Sequence, residues 1–283
     1  MTKSLLVFST TEYESRWKKV EAEMSSRGLE AAVIWGRTAS TFDRAADVIF
    51  LTNYFSTKVG QGFDSGKFSA RAYCAVLFRI GFEPVLIADD PDVRKEVVSV
   101  SDFRVANDPV ATLVETLTSF GISGKVGFVG SDFFPMKYWN ELQQSAPNIN
   151  WEICDDLVRV QRLIKSNEEQ EVIRIAGQIA SPAMTRMIEA LLSGKTEAEA
   201  AGLAAHDIVS AGGVIDKIQV SHGDTIGFTC GDPLTGYRKV APKNGDLFRA
   251  FLIGPMYQGY YLDPGRTAVC GNKPNLDQTN LLE

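Results

Sequence analysis

Between Thr11 and Gly28, apolar side chains recur every three or four residues. Tyr13, Trp17, Val20 and Met24 share one face, the spacing of an amphipathic helix, and Gly28 supplies its stop. Leu29 to Trp35 carries a run of apolar and β-branched residues and predicts a buried strand. Val48 to Tyr54 is a second apolar stretch of strand length and is expected to be another. Lys58 to Ser69, rich in Gly, Ser and Lys, predicts a loop. Ala70 to Phe78 and Pro84 to Ala88 predict a hairpin about Ile80-Gly81-Phe82-Glu83. Helical spacing returns through Val110, Leu113, Val114 and Leu117. Lys125 to Val129 follows as a strand and Pro135 to Gln144 as a helix. Strands alternating with helices define an α/β domain.

A boundary falls in the stretch from Asp155 to Ser166. The amphipathic run Leu157 to Lys165 leads into Ser166-Asn167-Glu168-Glu169, a capping box. The serine oxygen accepts an orphan backbone N–H and the glutamate reaches back. The long helix that follows keeps Val172, Ile175, Ile179, Met184 and Met187 roughly in phase, with Pro182 as a site for a kink. Thr196-Glu197-Ala198-Glu199 repeats the box and opens a helix ending at Gly212-Gly213; from Val214 onward the pattern is β. Two domains are expected, residues 1–155 and 156–283.

A chain of 283 residues can bury two substantial cores. With 45% hydrophobic and 23% charged residues it has the composition of a folded protein, not a disordered one. The net charge of −6, without clustered Lys and Arg, gives no sign of a nucleic-acid partner. The apolar runs fall short of a membrane span, so no membrane partner is expected. Met1 to Phe8 has one basic residue and a four-residue apolar run, too short for a signal-peptide core. A cytoplasmic protein is the expectation. Cys74, Cys154, Cys230 and Cys270 are scattered, which predicts reduced, buried and inert thiols.

The segment Gly245 to Thr267 carries the chemistry. It reads as a Gly-Asp turn, an apolar strand, a tight return, and a second strand ending in Asp263-Pro264-Gly265-Arg266-Thr267. It resembles the hairpin that bears two metal-binding aspartates in the pita-bread hydrolases. Other motifs stand in the same order as in the creatinase and aminopeptidase P branch of that family. They are Asp47 to Tyr54, Ile164-Lys165-Ser166-x-x-Glu169, Gly194-Lys195-Thr196-Glu197 and Lys243-Asn244-Gly245-Asp246. The resemblance covers nearly the whole chain. It implies an α/β N-terminal creatinase-like domain followed by a partial α+β pita-bread domain, and hydrolysis of a C–N bond in a short peptide or small molecule. It also implies a pair of divalent ions (manganese, cobalt or zinc) held by Asp, Asp, His, Glu and Glu. Hard cations prefer such oxygen ligands, and two ions can clamp attacking and leaving atoms. Members of the branch are commonly homodimers whose N-terminal domain reaches the neighbouring site, a role that would fall to Arg44 or Arg71 here.

The resemblance places the second metal aspartate at Asp263 and the first at Leu252. A return centred on Tyr257 and Gln258 sets those two positions opposite each other, where side chains could share a ligand; with leucine at one of them the bridging pair cannot form. Asp263 then reads as a residual metal ligand or a carboxylate orienting a cationic substrate. Equally, Asp263-Pro264-Gly265 reads as a turn that breaks the strand. Arg266 reads as a partner for a site carboxylate or as an anchor at the sheet edge. The family's loop histidine falls on Gly231, with Asp232 beside it. His222, upstream, has the titration range of a catalytic base or acid, and also reads as a surface loop residue; His206 is expected to be exposed. By the resemblance, the remaining His and two Glu ligands belong to a part of the family beyond Glu283. Gly254-Pro255-Met256 and Gly259-Tyr260-Tyr261 resemble the creatinase hairpin, and creatinase by resemblance works without metal. The expected function is a C–N hydrolase of Xaa-Pro aminopeptidase or creatinase type that is not an ordinary dimetal enzyme. The alternative is an inactive homologue serving as a binding or dimerisation module.

Overall fold

A computed structural model describes residues 6–38, 44–56, 72–90, 95–227, 236–271 and 273–282. The loop expected over Lys58 to Ser69 lies outside them, as do Arg71, Cys230, Gly231 and Asp232. The chain divides into two compact units, Met1–Lys165 and Ser166–Glu283.

The first unit opens with helix α1 (Thr10–Ser26), whose first turn is capped by the Ser9 hydroxyl accepting from the Glu12 N–H. It buries Tyr13, Val20 and Met24, as the spacing predicts, and Gly28 follows with φ of +66°. Strand β1 (Ala31–Arg37) comes next. Ala46–Thr52 is helix α2, where a strand was expected. An apolar run as short as Val48 to Leu51 carries no period that separates the two forms. Here Val48, Leu51 and Thr52 make a buried face at helical spacing, and Asn53 closes the helix in the left-handed region at φ of +57°. Strands β2 (Tyr73–Arg79) and β3 (Val85–Ala88) form the expected antiparallel hairpin.

A 3₁₀ turn (Lys95–Val97) then precedes β4 (Phe103–Val105). Helix α3 (Pro109–Ser119), capped by Asp108, leads to β5 (Lys125–Val129) and α4 (Met136–Ser145). Strand β6 (Asn150–Ile153) and helix α5 (Asp156–Arg162) complete the unit. The six-stranded sheet runs β4-β3-β2-β1-β5-β6, with β1 antiparallel to β2 but parallel to β5, and β5 parallel to β6.

Alternation along β1 feeds two cores. Ala32 and Ile34 join Val20, Met24, Val48 and Leu51 on one face; Ala31, Val33 and Trp35 join Val110, Leu113, Leu117 and Leu142 on the other. Each fully buried aliphatic side chain contributes about 1.5–3 kcal/mol. Gly36 is required where it stands, since a Cβ there would lie 2.6 Å from a Val48 methyl. The division at Lys165 falls at the far end of the stretch from Asp155 to Ser166, because α5 packs into the first unit. Leu157 and Val158 are wholly buried in its core, and Asp156 meets the Arg27 guanidinium at 2.8 Å.

The second unit begins with α6 (Asn167–Leu192) and α7 (Glu197–Ser210). Both predicted capping boxes are present, Ser166 with Glu169 and Thr196 with Glu199. Strands β7 (Lys217–His222), β8 (Leu247–Ile253) and β11 (Gly265–Val269) form an antiparallel sheet in the order β11-β8-β7. The short strands β9 (Met256–Tyr257) and β10 (Tyr260–Tyr261) close the hairpin tip, and α8 (Leu276–Leu282) follows. Phe248, Ala250 and Leu252 pack with Met187, Leu191, Ala204 and Ile208 in one core. Among the described residues no helix is long and apolar enough to cross a membrane.

Candidate functional site

The β8–β11 hairpin turns one residue later than its sequence predicts. Gln258 (φ +50°) and Gly259 (φ +83°) occupy the two central positions, and Tyr257 pairs with Tyr260. Two successive positive φ angles suit the right-handed twist of a two-residue hairpin, and glycine favours the second of them. Further out the register slips again, so that Phe251 pairs with Gly265 and the Leu252 N–H donates to the Pro264 carbonyl at 3.0 Å. Leu252 therefore stands beside Pro264, and the expected opposition to Asp263 is not formed. Leu252 is fully buried in the core with residues of α6 and α7, whereas Asp263 is exposed. Asp263 and Pro264 lie in the break between β10 and β11, the place that a turn sequence would take. Arg266 is exposed and donates to the carbonyl of Gly265 at 2.7 Å.

His222 is where the structure gathers functional groups. It lies at the end of β7, 5% exposed, which overturns the surface-loop reading. Its Nδ1 sits 2.6 Å from Oε1 of Glu197, itself wholly buried at the first turn of α7. The backbone explains the meeting. The Glu197 and Ala198 N–H groups at the start of α7 donate to the carbonyls of Val240 and Arg238 at 3.2 and 3.0 Å. This brings the Arg238 guanidinium to 4.0 Å from Glu197 Oε1. Arg238 also donates to the Thr225 hydroxyl, which in turn donates to the His222 carbonyl at 2.9 Å. Burial pushes the Glu197 carboxyl up from the usual carboxylate range, and His222 and Arg238 pull it back. Glu197 Oε2 has no hydrogen-bond partner among the described residues.

Glu197 escaped the sequence reading, although a signal was there. It falls in step with Ala200, Ala201, Ala204 and Ile208, the buried stripe of α7. A carboxylate on an apolar stripe needs a partner. His206, in contrast, is exposed on α7 as expected, with its Nδ1 3.1 Å from Asp207. Among the described residues no hydrogen bond or ion pair joins His222 to Asp263 or Arg266. Arg44, considered for a reach into a neighbouring site, lines a crevice of its own unit. Cys74, Cys154 and Cys270 are free and buried, and burial pushes the Cys154 thiol up to about 11, consistent with inert thiols.

The fold matches those of pita-bread Xaa-Pro peptidases. An Xaa-Pro dipeptidase from Bacillus anthracis superposes with a TM-score of 0.72 at 17% identity, covering 95% of this chain and 68% of that one. A prolidase from Pyrococcus horikoshii gives 0.68 at 22% identity, covering 94% and 67%. Residues 171–283, nearly all of the second unit, match the model of metallopeptidase family M24. In sequence, an Xaa-Pro dipeptidase from Pyrococcus horikoshii is 29% identical over 179 residues, 60% of this chain. That match spans 45% of the relative, less than half its length. The resemblance read from the motifs is thus borne out.

A metallopeptidase family implies a divalent ion, and the described residues do not fit one. The hairpin offers a core leucine and an exposed aspartate that do not face each other. Among the described residues no group of three or more His, Cys, Asp or Glu side chains is placed to hold a metal.

Proposed function

We propose that this chain acts in hydrolysis of a C–N bond in an Xaa-Pro peptide or a small amide or amidino compound, with His222 as its proton carrier. The observation that carries this reading is the His222–Glu197 pair, at 2.6 Å, inside the stretch that matches family M24. A carboxylate on Nδ1 fixes the ring's orientation and tautomer and leaves Nε2 to exchange a proton with a bound amide. Burial strengthens that hold, because competing water is excluded. Arg238 and Thr225 brace the pair from the other side. The substrate class is drawn from the Xaa-Pro dipeptidase relative, and a cytoplasmic homodimer belongs to the same proposal.

The test is turnover of Xaa-Pro dipeptides and of creatine by the full chain, in metal-free buffer and with added manganese. We expect hydrolysis that falls by about 10²–10⁴-fold in His222→Gln, the usual contribution of a positioned acid or base. A native chain that neither binds nor hydrolyses any of these compounds contradicts the reading. One specific observation favours a second reading, a binding or dimerisation module without turnover: the burial of Leu252 at the position of a metal aspartate. Saturable peptide binding without hydrolysis would select it.

A further inference from the structure

The sheet of the second unit presents alternate residues to its two faces. Ile218, Val220, Phe248, Ala250 and Leu252 pack into the core with α6 and α7. The residues between them belong to the opposite face. There the strand pairing sets Ser221, Arg249 and Thr267 in one row, and Gln219, Phe251 and Gly265 in the next. Leu247, Phe251 and Ile253 stay outside the core and keep part of their surface. The Phe251 ring lies across Gly265, where a Cβ would collide with it.

Charge on this face has one sign. The pairing puts Lys217 and Arg249 on it and no carboxylate from the three strands. Asp246, just before β8, is already engaged by the Lys243 N–H at 2.8 Å. Arg249 Nε donates to the buried Ser221 hydroxyl at 3.1 Å, and that hydroxyl donates in turn to the Ile226 carbonyl at 3.1 Å. The guanidinium is therefore held in one orientation. Its Nη2 is cut off from solvent and has no hydrogen-bond partner among the described residues, where Arg249 also forms no ion pair. A buried donor on a charged group calls for an acceptor, because water no longer supplies one. Thr267, directly across from Arg249, is exposed and brings a hydroxyl to the same row. The Phe251 ring centre lies 5.9 Å from the guanidinium.

We propose that Arg249 anchors a binding site on this face for a small carboxylic acid with an apolar body. With Nε held by Ser221, the two end-on nitrogens of the fork match the two oxygens of one carboxylate. Thr267 supplies a second donor, and the Phe251 ring supports the apolar body. His222 belongs to the core face with Val220, so this site shares no group with it and needs no hydrolysis.

Calorimetric titration of the full chain at low ionic strength tests the site, with phenylacetate as probe and 2-phenylethanol as its uncharged counterpart. Saturable binding of phenylacetate is expected, at least tenfold tighter than that of the alcohol. Arg249→Gln should weaken it about tenfold or more, and Arg249→Lys, which keeps the charge and loses the fork, by less. Thr267→Val and Phe251→Leu should each weaken it about threefold. Arg174→Ala, on the exposed face of α6, should leave it unchanged. Circular dichroism reports whether each variant is folded; if Arg249→Gln is not, the exposed Thr267 and the Arg249→Lys variant carry the test. Binding is read without turnover, so its loss and a loss of hydrolysis are seen separately. No saturable binding of phenylacetate up to about 10 mM, equal affinity for the alcohol, or unchanged affinity in the folded Arg249 variants overturns the proposal.

Discussion

Asp47 with Arg162 and Glu197 with His222 are both acid–base pairs at 2.6 Å, one in each unit. Their surroundings differ. The Asp47 and Arg162 side chains keep 21% and 35% of their surface, whereas Glu197 and His222 keep 1% and 6%. Burial pushes both carboxyls up, but the partners differ in kind. A guanidinium is always charged, so the first pair fixes charge at the edge of an open crevice. An imidazole, unlike a guanidinium, is a partner with two distinct ring nitrogens, and the second pair engages one of them inside a core. The same distance thus stands in two settings, one open to solvent and one inside a core.

Placing a carboxylate in the second core without an imidazole beside it should have the largest effect. Leu252→Asp is expected to cost about 3–5 kcal/mol, the penalty of an unpaired buried charge combined with lost packing. Urea unfolding followed by circular dichroism measures it; a loss below about 1 kcal/mol would mean that position 252 is not part of the core. A smaller effect should separate the pairs themselves. Glu197→Ala leaves the His222 ring nitrogen without its acceptor and should cost about 1–3 kcal/mol. Asp47→Ala, beside solvent, should cost under about 1 kcal/mol. Equal costs would erase the contrast between them.

The smallest effect is a slope. A carboxyl raised in the folded state binds its proton more tightly there than in the unfolded chain. Its stabilising contribution is therefore full below the ordinary carboxylate range and lost as pH rises through the folded value. Glu197→Gln should remove that loss as pH rises above the ordinary carboxylate range. Asp156 has the opposite sign, because its hydrogen bonds to Arg27 hold it below the ordinary range. Its contribution is present above that range and fades as pH falls, so Asp156→Asn should flatten the acid limb. Unfolding free energies across this range for both variants check the two signs.

Periodic signals were read correctly wherever burial was one-sided. The α1 stripe of Tyr13, Val20 and Met24, both capping boxes and the β2–β3 hairpin all stand where the pattern put them. The run from Val48 fits a helix and a strand alike because its four successive apolar residues, Val48 to Leu51, are too few to show a period, and the left-handed Asn53 that settles the matter is not encoded by hydrophobicity. The hairpin's turn lay in view as Gln258-Gly259. A one-residue error in its centre was enough to set the wrong residues opposite each other, because strand pairing alternates every residue. Glu197 and His222 lie 25 positions apart. Only the packing of α7 against β7 brings them together, although the place of Glu197 on an apolar stripe already called for a partner.

The central claim is that the β8–β11 hairpin is a core element, with Leu252 packed inward and Asp263 left in the break between strands, and does not carry a bridging aspartate pair. Equilibrium dialysis of the full chain against manganese, cobalt and zinc, with metal content read by mass spectrometry, tests it directly. The expected result is no stoichiometric ion whose retention changes between the native chain and Asp263→Asn. A stoichiometric pair of ions in the native chain, released by Asp263→Asn, would contradict it.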